Sequence, residues 1–267
     1  MADSPVFLVG LPRTGKTPLR MALGAHPGLS MTRKSRMWTT FHGNYGDLAD
    51  PVALESCLDA MLADPGVARL LPDANAIRHE FASRNQTYAD LFGVFHAQYA
   101  RRFGKPRWGE QMAFLEQFAE PIFDTWPEAR MIHMVRLPGE WIPGAAQRKP
   151  GGVGSELTHW TTSAQLAVSN RAHHASRYLI VQYEELMADP TAILKAVGAF
   201  INEDVNQGMV DVLTGALPDP TSTGLGPAAR RFIDDRSRSL LAALDYPSPP
   251  IARPQKLANL WFNLSPT

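Results

Sequence analysis

Short apolar runs alternate along the chain with longer segments of helical spacing. Three runs, 5–10, 130–135 and 177–183, have the length and composition of strands buried on both faces of a parallel sheet. Helical spacing marks the segments Lys16–Ala25, 53–62, 87–103, 112–125, 156–175, 191–201 and 228–244. Strands separated by helices predict a doubly wound α/β sheet, with at least one further strand hidden among the other segments.

The spacing of these elements favours a single domain, 1–267, without internal repeats. About 120 residues separate the first two strands, too many for one crossover helix. We therefore expect a helical insert, 31–125, between these two strands. The segment 217–267 is rich in Pro, Gly and Ser, apart from its helical stretch, and we expect it to be rich in loops.

Composition narrows the possible partners and location. Equal numbers of basic and acidic residues, 26 each, give no broad basic surface, so nucleic acid is not an expected partner. The apolar run near the amino terminus is too short for a membrane span and lacks signal-peptide features, so no stable membrane insertion is expected. With Cys57 as the sole cysteine, we expect a soluble cytoplasmic protein of undetermined oligomeric state.

The octapeptide GLPRTGKT, Gly10 to Thr17, carries the clearest chemical signal. It matches G-x-x-x-x-G-K-S/T between a predicted buried strand and a predicted helix, the context that this phosphate-binding motif requires. Its glycines let backbone N–H groups turn toward an anion, the helix start adds unpaired N–H groups, and Lys16 adds a positive charge. Pro18 is tolerated in the first helical turn.

The loop alone leaves the anion open. A P-loop kinase using Mg-ATP would also need a carboxylate at the end of a second buried strand, where only Glu184 or Glu185 is available. The second strand ends instead at Arg136, which suggests a second anionic group on the same ligand.

Three ordered segments resemble the PAPS-dependent sulfotransferases, especially bacterial members related to the tyrosylprotein type. PVFLVGLPRTGKTPLRMALGAHPGL (5–29) is similar to that family's 5′-phosphosulfate loop and following helix. RWGE (107–110) and WPEARMIHMVRLP (126–138) resemble its WG motif and 3′-phosphate strand. RYLIVQYEELMADP (177–190) is similar to a third family motif, so that the likeness covers 5 to about 201.

The resemblance implies a P-loop-like, three-layer α/β fold with a mostly parallel central sheet and a helical insert over the active site. It implies sulfuryl transfer from 3′-phosphoadenosine 5′-phosphosulfate (PAPS), leaving the bisphosphate PAP, to a small-molecule or lipid-like alcohol, without a metal. Arg13 and Lys16 would act in catalysis at the phosphosulfate, and Arg136 would hold the 3′-phosphate. The implied cofactor-binding positions are Pro12, Arg13, Thr14, Gly15, Lys16, Thr17, Arg136 and Gly144.

Several positions depart from the family pattern. Lys16 stands where threonine is usual, and Leu137 replaces the aspartate of the R-D-P motif. Gly144 replaces a serine that serves as a 3′-phosphate ligand, and Gln111 replaces a lysine. The glutamate that many relatives use as catalytic base aligns near Lys34, and a lysine of ordinary pKa is protonated at neutral pH. A catalytically weak, PAP-binding homologue is therefore a second alternative.

Other side chains are candidates for the missing base. His42 is predicted as the catalytic base because a pKa near 6.5 suits proton removal from an alcohol, although a surface or capping role is equally compatible with one isolated histidine. Glu110 is a further candidate, although a buried glutamate paired with a nearby arginine is at least as good an interpretation of this position. The cluster of Arg33, Lys34 and Arg36 is either a solvated turn or a site for the 3′-phosphate or an acidic acceptor.

Overall fold

Five parallel strands form the central sheet in the order β2-β3-β1-β4-β5. The computed structural model describes residues 4–146, 152–217 and 225–247. The strands are β1 (Val6–Val9), β2 (Leu29–Arg33), β3 (Arg107–Gln111), β4 (Arg130–Val135) and β5 (Tyr178–Gln182). The α/β class and the three strands predicted from apolar runs are confirmed.

The strands β2 and β3 were hidden because both carry polar residues. The Thr32 hydroxyl donates to the Gly109 carbonyl at 2.9 Å, and Glu110 is buried with a backbone partner, so tertiary contacts satisfy polar groups that look unsuited to a core. All of β3 and most of β2 lie within 31–125. The segment expected to be a helical insert therefore contains helices but also contributes β3 and most of β2 to the sheet.

Helices cover both faces of the sheet. In the described ranges they are α1 (Lys16–Ala25), α2 (Met37–Thr40), α3 (Pro51–Ala63), α4 (Pro65–Ala68), α5 (Ala74–Ala82), α6 (Tyr88–Arg102), α7 (Ala119–Thr125), α8 (Pro138–Ala146), α9 (Gly152–His173), α10 (Tyr183–Ala188), α11 (Pro190–Ile201), α12 (Gln207–Ala216) and α13 (Pro227–Ala243). The predicted helix 112–125 is shorter, because its first residues line a cavity and a 3-10 helix, Leu115–Phe118, precedes α7. Of these helices, none has the length and apolarity needed to cross a bilayer.

Strand β1 shows why the fold has three layers. Phe7 and Val9 pack into one core with α3, α6 and α7, whereas Val6 and Leu8 pack into the other with α1, α11 and α12. Strand β1 lies between β3 and β4 at the centre of the sheet. In such sheets the crevice at the carboxyl end of the central strand is the expected ligand site.

Candidate functional site

A cavity of about 800 Å³ opens at the carboxyl edge of the sheet. Residues that end or follow all five strands line it: the loop after β1, Lys34 and Arg36 after β2, residues 111–114 at the end of β3, Arg136 after β4 and Tyr183 after β5. The loop after β1 contributes Pro12, Arg13, Gly15, Lys16, Thr17 and Pro18. The structure thus brings together most of the predicted cofactor-binding residues, whereas Thr14, in the same loop, is buried.

The loop takes a shape that its two glycines permit. Gly10 has φ +108°, and a Cβ there would lie 2.4 Å from the Met134 carbonyl oxygen. Gly15 has φ +87°, and a Cβ there would lie 2.6 Å from Cδ2 of Tyr183. Larger residues would therefore push the loop away from β4 and β5. Helix α1 begins at Lys16 without a side-chain cap, which leaves its first N–H groups available to an anion.

Lys16 lines the cavity, but its ammonium group binds the backbone of its own loop. Its Nζ donates to the carbonyl oxygen of Gly10 at 2.6 Å and also to that of Leu11. The side chain is buried, and burial lowers the pKa of Lys16 to about 7, although the nearby carboxylate of Glu116 opposes this shift. A protonated Lys16 therefore depends on negative charge close by.

Arg136 is held over the cavity with unused donor capacity. Its guanidinium stacks on the Tyr183 ring at 4.3 Å from the ring centroid, and Nη1 lies 3.5 Å from the Arg13 carbonyl oxygen. Its Nε is buried and has no hydrogen-bond partner among the described residues. An oriented and partly desolvated guanidinium of this kind suits a bound anion.

The buried carboxylate of Glu116 binds the start of the loop from the protein interior. Its Oε2 accepts from the Gly10 amide at 3.2 Å, and its Oε1 accepts from the Ser163 hydroxyl at 2.8 Å. Glu116 and Gly10 are 106 positions apart, so no local sequence signal indicated this contact. The pairing satisfies two buried donors and fixes the start of the loop.

The same network continues away from the cavity. His133 lies 3.2 Å from the Ser163 hydroxyl through Nε2 and 2.6 Å from the Tyr178 hydroxyl through Nδ1. Since Ser163 donates its proton to Glu116, Nε2 of His133 carries the hydrogen and Nδ1 accepts from Tyr178. Burial lowers the pKa of His133 to about 4, so the imidazole is neutral near pH 7. His133 is therefore a hydrogen-bonded core residue of β4.

The charge of the cavity is one-sided. Among its described lining residues there are five basic side chains and neither a carboxylate nor an imidazole: Arg13, Lys16, Lys34, Arg36 and Arg136. Of the two candidates for a Mg²⁺ ligand, neither Glu184 nor Glu185 is among the described lining residues, and Glu184 accepts from the Leu137 amide at 2.9 Å and the Tyr246 hydroxyl at 2.8 Å. No cluster of potential metal ligands occurs in the described part of the chain. The arrangement suits a polyanionic ligand.

Besides Thr14, two predicted site residues do not line this cavity. His42 is half-buried, with its ring centroid 4.6 Å from that of Trp38 and further contacts to Tyr88 and Phe118. Burial lowers the pKa of His42. Gly144 is half-buried within α8. The structure therefore brings neither residue to the loop, and their predicted roles remain predictions.

Glu110 is likewise not among the described lining residues, although Gln111 next to it is. It is buried, accepts from the Ser35 amide at 2.7 Å and lies 3.6 Å from Nε2 of His96. Burial raises the pKa of Glu110 to about 7. This carboxyl group holds the segment after β2 in place, and its partner is a histidine where the sequence suggested an arginine.

Comparisons with known proteins bear on the family and the fold. Residues 5–207 match the family model described as the sulfotransferase family. The sulfotransferase domain of the Synechococcus PCC 7002 olefin synthase has 21% identity, with 92% of this chain and 97% of that chain covered and a TM-score of 0.60. A sulfotransferase from Alicyclobacillus acidocaldarius has 16% identity, covering 92% and 95% of the two chains, with a TM-score of 0.54.

A mouse sulfotransferase solved in complex with PAP has the same fold. It is 13% identical, the alignment covers 89% of this chain and 84% of that chain, and the TM-score is 0.51. The comparison with curated protein sequences finds no match.

Replacing Glu116 by alanine is expected to lower the free energy of unfolding by about 2–4 kcal/mol, because two buried donors lose their acceptor. Denaturant unfolding measures the change. The control is Glu120→Ala, one turn onward, where an exposed carboxylate loses its contact with the His174 ring and the expected change is below about 1 kcal/mol. Equal effects of the two substitutions would contradict the anchoring role.

His133 should make stability depend on pH. Its pKa is about 4 in the fold and 6.5 when exposed, so only the unfolded chain binds a proton between these values. Its contribution to stability is therefore fully present above about pH 6.5 and is lost as the pH falls toward about 4. Urea unfolding across this range should show a shallower pH dependence for His133→Gln, whereas the exposed control His79→Gln should match the original chain. Equal slopes for all three would refute this assignment.

Proposed function

The chain belongs to the sulfotransferase family, and on this premise we propose that it transfers a sulfuryl group from PAPS to a hydroxyl of a small-molecule or lipid-like acceptor. The observation that carries the proposal is the cavity in which the loop after β1, shaped by Gly10 and Gly15, meets Arg13, Lys16 and Arg136 and, among the described lining residues, no carboxylate. A bisphosphorylated nucleotide bearing a sulfonate matches that charge.

The residues that we propose to bind the cofactor follow two neighbouring strands, β1 and β4. The amides of Thr14, Gly15, Lys16 and Thr17 would hold the 5′-phosphate at the start of α1. Arg136, which follows the neighbouring strand β4, would hold the 3′-phosphate with its unpartnered Nε and adjacent amino groups. Pro12 shapes the tip of the loop, and its carbonyl oxygen accepts from the Trp141 indole at 2.6 Å.

Transfer forms a bond between the acceptor oxygen and sulfur and breaks the bond between sulfur and the 5′-phosphate oxygen. The acceptor releases its hydroxyl proton, and negative charge develops on the departing phosphate oxygen. Arg13, exposed at the tip of the loop, would stabilise that charge. Lys16 would contribute its own charge, since a bound anion raises the pKa of a lysine that burial has lowered to about 7.

The proposal leaves His42 out of the proton transfer, because its ring packs against Trp38, Tyr88 and Phe118 away from the cavity lining. With neither a carboxylate nor an imidazole among the described lining residues, a PAP-binding protein of low turnover is the second candidate. A Mg-ATP kinase is less well supported, because Glu184 is occupied by the Leu137 amide and the Tyr246 hydroxyl.

Calorimetry with PAP and with Mg-ATP tests the proposal. We expect PAP to bind and Mg-ATP to bind far more weakly, because the second phosphate of PAP has a partner in Arg136. Tight Mg-ATP binding without a PAP signal would overturn the sulfotransferase assignment. Turnover of PAPS with a panel of alcohols then separates an enzyme from a protein that binds PAP without catalysis.

The substitution Arg136→Ala should weaken PAP binding by about 2 kcal/mol or more, roughly 30-fold in Kd, because a desolvated charge partner is lost. Arg136→Lys should recover part of this loss, since it keeps the charge without the planar fork. Arg238→Ala on α13 is the control, because Arg238 is exposed and pairs with Asp235. Unchanged affinity in Arg136→Ala would remove this residue from the site.

A further inference from the structure

The cavity extends well beyond the part that the nucleotide needs. Its proposed phosphate ligands follow β1 and β4, whereas Lys34 and Arg36 follow β2, on the other side of β1. Three strand spacings separate β2 from β4 in this sheet, which amounts to about 14 Å. The β2 and β3 side is therefore available to the acceptor.

The backbone after β2 places two basic residues, Lys34 and Arg36, at the wall of the cavity. Lys34 and Arg36 have φ of +53° and +59°, a left-handed backbone conformation that residues other than glycine rarely adopt. Between them Ser35 is fully buried, and its amide donates to Glu110 at 2.7 Å. The Lys34 amide also donates to the Gln111 carbonyl oxygen at 3.0 Å. Strained backbone that buried partners hold in place is a common feature of functional sites.

The two cations differ in how they are paired. Arg36 lies 2.8 Å from the carboxylate of Asp64, which also caps α4. For the Lys34 ammonium, no hydrogen bond or ion pair is found within 4–146, 152–217 and 225–247. Lys34 is therefore a cation without a counter-charge at the wall of the cavity.

Apolar side chains complete this side of the cavity. Met112, Ala113 and Phe114 line it directly after β3, and Phe114 is 41% exposed although it is large and apolar. Thr39 lies at the same wall. A ligand that fits here has an apolar body for these side chains and negative charge for Lys34.

We propose that the acceptor is an acidic amphipathic alcohol, whose carboxylate, sulfate or phosphate group binds Lys34, with Arg36 beside it, while its apolar body contacts residues 112–114. This inference rests on the proposed function. A neutral acceptor would cover Lys34 without supplying a counter-charge, which is unfavourable. The acidic group takes no part in bond making: the acceptor hydroxyl oxygen bonds to sulfur and its proton passes to solvent water, while the bond between sulfur and the 5′-phosphate oxygen breaks and PAP leaves with the electron pair.

Matched acceptors on the PAP-saturated protein test this inference. The pairs are hydroxyphenylpropionate with its methyl ester and a terminally hydroxylated fatty acid with its methyl ester, with a hydroxyalkyl phosphate and sulfate as further arms. In at least one pair we expect the acid to bind about tenfold more tightly than the ester by calorimetry, and to react faster with PAPS. The inference is overturned if no acid exceeds its ester in either measurement.

Two substitutions of Lys34 test whether this residue causes the preference for the acid over its ester. Lys34→Gln should remove the preference for the acid, and Lys34→Glu should reverse it, while the affinity for PAP stays within about twofold of the original. The control is Arg33→Gln, since Arg33 is an exposed neighbouring cation that is not among the cavity-lining residues. A loss of PAP affinity in Lys34→Gln would assign Lys34 to the nucleotide and overturn the inference. Absence of PAP binding in the original chain would instead refute the proposed function itself.

Discussion

The close approach of one loop to the neighbouring strands determines the geometry of the whole site. After β1 the chain turns so tightly against β4 and β5 that a Cβ at Gly10 or Gly15 would collide with Met134 or Tyr183. Because the loop lies this close, its amides, the start of α1 and the guanidinium of Arg136 face one cavity. The two glycines therefore set the distances between charges that lie far apart in the sequence.

The loop also needs support from the interior, and buried polar groups supply it. Glu116 accepts from the Gly10 amide, and the chain of hydrogen bonds continues through Ser163 to His133 and Tyr178. Every donor in this chain has an acceptor, so the network stiffens the floor of the cavity without leaving unsatisfied polar atoms. The carboxylate of Glu116 lies near Lys16 and limits the fall in the pKa of Lys16 that burial causes.

The distribution of charge connects this geometry with chemistry. The chain as a whole carries a formal net charge of zero, yet the described cavity lining contains basic side chains without carboxylates. Acidic residues such as Glu110, Glu116 and Glu184 lie just outside the lining and bind backbone amides. A neutral protein can therefore hold a polyanion, since its carboxylates position the backbone while its cations face the ligand.

The sequence by itself determined the α/β class, three of the five strands and the glycine-containing loop after β1, because apolar runs and a glycine motif are local signals. It also indicated Arg136, which ends a buried strand. It did not reveal β2 and β3, whose polar residues are satisfied by partners far along the chain, nor the role of Glu116. Likewise, only the tertiary structure decided that Lys34 lines the cavity while His42 and Gly144 do not. The reason is physical: which side chains share one cavity depends on strand order and backbone conformation, and neither can be read from residue spacing.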